Sequence, residues 1–124
     1  MSKKKPAIRW LKKPAKHDYA AAERFLSLLF EEPAVARYVR KLRRAGVSEF
    51  EAKDLLRASN LAPLGAGNSH VRQDRQKIRK GTALSPLLLV RDGAHVRLII
   101  ADGYHRLCAA YSVDEDAVIP CCIE

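Results

Sequence analysis

The 124 residues suffice for one hydrophobic core and fall short of two ordinary ones, and 48% hydrophobic with 30% charged residues excludes a disordered or fibrous chain. No run approaches the roughly 20 apolar residues that span a bilayer, and the basic start Met1-Ser2-Lys3-Lys4-Lys5-Pro6 has no apolar stretch behind it. A cytoplasmic protein with no membrane partner is the expectation. The net charge of +9 is uneven, for seven Lys and Arg and no acid lie within residues 1–16. Such an arm has two readings, a contact for DNA or RNA phosphates or a solvated terminus.

Pro6 and Pro14 bracket this arm, whose large apolar residues are Ile8, Trp10 and Leu11, so docking through Trp10 is the expectation. Helical spacing follows in Tyr19, Ala22, Phe25, Leu26, Leu29 and Phe30, with Asp18 as N-cap and an end near Glu32. Pro33 suits the first turn of a second helix. There Val35, Tyr38, Val39 and Leu42 form one stripe and Arg37, Arg40, Lys41, Arg43 and Arg44 crowd the remainder. Ser48-Glu49-Phe50-Glu51 fits a capping box, predicting a third helix to about Ala58. Residues 61–69 then read as a Pro- and Gly-bearing loop, and Val71 to Lys80 as a very polar helix stopped by Gly81.

Strand character takes over in the last third. Ser85-Pro86-Leu87-Leu88-Leu89-Val90 is a continuous apolar run, Arg91-Asp92-Gly93-Ala94 a turn, and Val96 to Ile100 a second strand, which together predict a hairpin. A short helix from Leu107 to Tyr111 and a last strand, Val118 to Ile123, complete the chain. Cys121 and Cys122 are adjacent in that strand and so point to opposite faces; with Cys108 they make an odd number. A disulfide framework is therefore not expected, and the spacing of Cys and His residues supplies no metal-binding pattern.

The strand that runs into Asp102-Gly103 and at once into a helix is the main candidate for chemistry. Amides at a helix start lack intrahelical partners and, with the helix dipole, attract anions. Gly103 is expected to let a ligand approach the backbone. Arg106 is placed to grip a phosphate with two parallel hydrogen bonds, and His105 to donate one or move a proton. Asp102 is open to three roles: capping the helix, holding a metal ion, or holding the protonated His105.

Leu84 to Val90, then Leu98-Ile99-Ile100-Ala101-Asp102-Gly103-Tyr104-His105-Arg106 with its alanine-bearing continuation to Tyr111, then Ile119-Pro120-Cys121-Cys122-Ile123, resemble the core of the ParB-like nuclease and sulfiredoxin superfamily. The resemblance covers roughly residues 54–123. It implies an α+β fold: a small mixed sheet with surrounding helices, preceded by an N-terminal helical segment. Residues 1–16 would be the arm and 17–124 a single domain, with a helical front over 18–58. The resemblance further implies that Gly103, His105 and Arg106 contact the phosphates of a nucleotide, CTP as in partition proteins or ATP as in sulfiredoxins, with magnesium. Tyr104 and Ser85 are grouped with them. Tyr104 stands where sulfiredoxins have their catalytic cysteine, which argues against sulfinic-acid reduction. No helix-turn-helix or dimerisation region of partition proteins is expected here.

Asn68, Ser69, His70 and Arg72 fall where the family places a polar loop facing the nucleotide. Asn68 and His70 are expected at base or ribose and Arg72 at a phosphate; the competing reading is a surface loop in which Asn68 caps the helix. Asp102 and His105 are the candidate catalytic groups for a phosphohydrolase or nuclease. A reading from another class is a non-catalytic DNA- or RNA-binding accessory that uses the basic arm and the Arg37–Arg44 helix, with the turn only structural. The oligomeric state is left open.

Overall fold

The computed structural model describes residues 6–124, so Lys3, Lys4 and Lys5 of the basic arm lie outside the described residues. In chain order come helices α1 (Lys16–Leu26) and α2 (Glu32–Arg44), strand β1 (Ser48–Glu51), helices α3 (Ala52–Ser59) and α4 (Ser69–Lys80), strands β2 (Leu87–Asp92) and β3 (Arg97–Asp102), helix α5 (Tyr104–Val113) and strand β4 (Val118–Ile123). The fold class is α+β, with a four-stranded mixed sheet in the order β1-β4-β2-β3. Strand β2 runs antiparallel to β3 and parallel to β4, and β1 is antiparallel to β4. Among the described residues no helix is long and apolar enough to cross a membrane.

The unbroken apolar run of β2 follows from its place between two helical layers, since a strand covered on both faces has no solvent side to populate with polar residues. Leu88 and Val90 join Ile99, Ala101 and Cys122 against α1 and α2. Leu87 and Leu89 join Ile100, Ile119 and Cys121 against α3 and α5. Each fully buried Leu contributes about 1.5–3 kcal/mol relative to exposure, so the central strand anchors both layers. Helix α4 lies outside α5, where Val71 and Ile78 meet Leu84, Cys108 and Ala109. Its polar remainder reflects coverage along that one stripe alone.

The arm docks by Trp10, which lies against Leu84 in an isolated parallel β-bridge; Leu11 N donates to the Leu84 carbonyl and Leu84 N to the Arg9 carbonyl, both at 2.8 Å.

Three local expectations are corrected. Ser48-Glu49-Phe50-Glu51 forms edge strand β1 rather than a capping box, because it pairs residue for residue with β4 from Cys121 to Val118. The first amides of α3 find backbone partners instead, Ala52 N at the Ala117 carbonyl (2.9 Å) and Lys53 N at the Glu115 carbonyl (3.0 Å). Asp18 does not cap α1, which begins at Lys16 with Ala15 as N-cap. It lies on the inward stripe with Ala22 and Leu26 and is 3% exposed. Helix α1 also stops at Leu26, leaving Phe25 and Leu29 exposed.

Candidate functional site

Strand β3 delivers Asp102 to the start of α5, and Gly103, at φ +107°, makes the turn. That backbone conformation excludes L side chains at low cost. The space is closed as well, for an added Cβ would lie 2.7 Å from Leu87 Cγ and 2.9 Å from Arg106 Nη2. Gly103 thus serves close packing between α5 and β2, which corrects the expectation that it opens the backbone to a ligand.

Arg106 is a structural clamp in this arrangement. Its Nε donates to the Ser85 carbonyl at 2.8 Å, and its Nη2 to the Asp102 carboxylate at 2.9 Å and the Pro86 carbonyl at 3.3 Å. Nη2 also lies 3.7 Å from the buried Asp18 carboxylate. Nε and Nη2 are thus taken by oxygens of the same chain, so the Nε–Nη2 edge is no free fork for phosphate. Asp102 holds Arg106, a role outside the three that the sequence left open, and no side chain caps α5. Burial raises the Asp102 pKa, with Arg106 pulling the other way.

Ser85 is committed too. Its hydroxyl accepts from Ala15 N at 3.0 Å and donates to the Asp18 carboxylate. These contacts tie α1 to the segment before β2 and leave Ser85 out of a ligand's reach as a donor. Tyr104 turns its hydroxyl to the Ala62 carbonyl, closing the 61–68 loop over the start of α5. Asn68 takes the capping reading: its Oδ1 accepts from His70 N at 3.0 Å and Val71 N at 3.1 Å. Arg72 donates to the Ala66 and Gly67 carbonyls of its own loop.

What the fold does bring together is His70 and His105. Each is the second residue of its helix, α4 and α5 respectively, and the two rings stand 4.8 Å apart between centroids. Two helix amino ends therefore converge, and neither has an acid in its first turn. Their partial positive charges add at one place. Burial depresses the His105 pKa, His70 and Arg106 add to this, and Asp74 opposes. Asp74, one turn along α4 from His70, has its pKa raised by burial despite Lys77, Arg106, His105 and His70.

Asp18 and Asp74 are the members of this polar centre that reading the sequence missed. Both carried a signal: Asp18 falls on the Ala22–Leu26 stripe, and Asp74 is four residues from His70 on a helix. Among the described residues no three His, Cys, Asp or Glu side chains converge as a metal cage. Comparison with protein-family models, curated proteins and solved structures finds no match to this chain.

Proposed function

We propose that the chain is a phosphate-ligand-binding domain of ParB/sulfiredoxin type, taking a nucleotide or phosphodiester where the amino ends of α4 and α5 meet. The single observation that carries this reading is the His70–His105 pair at 4.8 Å, set at the second position of both helices. No side chain caps the start of α5, amides at a helix start lack intrahelical partners, and two convergent dipoles favour an anion there. His70 and His105 supply the side-chain donors, and burial holds the His105 pKa below the ordinary imidazole value, which a bound phosphate would raise again. Arg106 and Asp102 set the geometry from beneath, by holding β3, α5 and the Ser85-Pro86 segment together.

If the bound group is a nucleoside triphosphate such as CTP or ATP, its magnesium takes most ligands from phosphate and water and needs few from protein. Phosphodiester or phosphoanhydride hydrolysis then rests on His105 as the proton-transfer group, since Asp102 is paired with Arg106. The three buried free thiols fit a reducing cytoplasm.

The test is a thermal-shift and calorimetric series with CTP, ATP, GTP, inorganic phosphate and a short oligonucleotide, with and without magnesium. At 100 times its Kd a ligand stabilises by about 2.7 kcal/mol, close to 10 °C for a chain of this size. His70→Ala with His105→Ala is expected to abolish the shift while leaving unfolding cooperative. Absence of heat and of any shift with every compound refutes the reading.

A further inference from the structure

The opposite helical layer carries a second feature that the phosphate site does not use. On α2 the core residues Val35, Val39 and Leu42 are buried. Arg37, Arg40, Lys41 and Arg44 recur at i, i+3, i+4 and i+7 and are all exposed, which places them on one face directed away from that core. Lys41 and Arg44 continue into an open cavity of about 620 Å³ that they line with Arg91 of β2. Arg91 is distant in sequence and joins the stripe only through the fold.

Little nearby acid balances these charges. Lys41 Nζ lies 3.1 Å from the Glu124 carboxylate, while no carboxylate stands within ion-pair distance of Arg37, Arg40, Arg44 or Arg91 among the described residues. Cations in a last turn complement the helix dipole, which accounts for Lys41, Arg43 and Arg44. Arg37 and Arg40 stand before that turn and Arg91 on a strand, so the dipole does not account for them. Clustered like charges repel unless a counter-charge is supplied.

We infer that the α2 face with Arg91 binds the phosphate backbone of duplex nucleic acid without reading its sequence. Seven residues of helix span about 10 Å, over which a duplex presents about six phosphate charges. The aromatic rings beside the stripe, Tyr38 and Tyr19, are half-buried, with Arg37 and Arg43 lying over them at 5.6 and 4.6 Å. They offer no platform for stacking bases, which favours a duplex over a single strand. A membrane surface fits less well. Insertion requires several exposed large apolar residues among the cations, whereas Val35, Val39 and Leu42 of α2 are buried, Val47 alone of the cavity lining is an exposed large apolar residue, and the exposed Leu28 is followed by Glu31 and Glu32.

The experiment is fluorescence anisotropy with a 20-base-pair duplex (about two helical turns) across a salt series, on the full chain and on Arg40→Ala/Arg44→Ala/Arg91→Ala. All three side chains are exposed, so the fold is retained. Four phosphate contacts give a log–log salt slope of about −3.6, and losing three lowers its magnitude by about 2.7. The triple variant is expected to lose binding at moderate salt and to keep any nucleotide-induced thermal shift, which separates this inference from the α4–α5 site. Unchanged affinity and slope in the triple variant overturn it, as does complete loss of binding in Lys3→Ala/Lys4→Ala/Lys5→Ala with the α2 variant unaffected. Tenfold tighter binding to a single strand, or equal binding to anionic vesicles or polyglutamate at matched charge, also overturns it.

Discussion

Gly103→Ala tests the packing of the turn most directly. At φ +107° an L residue is strained by about 1–3 kcal/mol. The new methyl would stand 2.7 Å from Leu87 Cγ and 2.9 Å from Arg106 Nη2. Leu87 is fully buried in the central strand and cannot swing aside, so overpacking adds about 1–3 kcal/mol. A loss of about 4 kcal/mol is the central expectation. With about 2.1 cal/mol/K of unfolding entropy per residue, 124 residues give about 0.26 kcal/mol/K, and Tm falls by about 15 °C. Urea unfolding followed by circular dichroism measures the loss, provided the slope with denaturant is unchanged. Combining the change with Leu87→Ala removes the main clash, so the double variant should be at least about 1 kcal/mol more stable than the two losses summed. A loss under about 1 kcal/mol for Gly103→Ala, or a cycle additive within about 0.5 kcal/mol, refutes the reasoning.

Three further outcomes are expected. Asp18→Ala removes the buried acceptor of the Ser85 hydroxyl and the charge 3.7 Å from Arg106, and should cost about 2 kcal/mol in urea unfolding; a neutral result would show that Asp102 alone suffices to hold Arg106. The depressed pKa of His105 means that its contribution to stability is present above the ordinary imidazole range and is lost as pH falls through the depressed value. A bound phosphate favours the charged ring, so its affinity should rise on going from about pH 7.5 to about 6, with the His105 pKa raised in the complex by NMR titration; a bound value at or below the free one counts against the site. The thiols of Cys108, Cys121 and Cys122 are buried and their pKa values raised by burial, that of Cys121 to about 12. Iodoacetamide should leave all three unmodified in the native protein and alkylate them in denaturant, as read by mass spectrometry.

The polar centre was legible only in part. Asp102, Gly103, His105 and Arg106 announce a special turn through their order on the chain, and the turn is there. Its use differs from the expectation because Arg106 meets oxygens of Ser85, Pro86 and Asp18, residues 21, 20 and 88 positions away. No local pattern records such partners. His70 was grouped with the site by its loop, yet its pairing with His105 depends on α4 lying along α5.

Periodicity alone determined which side chains share a face, since a strand alternates its faces every residue and a helix repeats every three to four. That rule assigned Cys121 and Cys122 to opposite faces and set the inward stripe of α2. The tertiary structure alone decided that Ser48 to Glu51 is a strand, because the unpaired edge of β4 offered it hydrogen bonds that outweigh a local cap. It also decided that a guanidinium able to grip phosphate is spent within the chain, and that two helix amino ends meet. Both depend on elements far apart in sequence, whose approach is governed by core packing rather than by neighbours along the backbone.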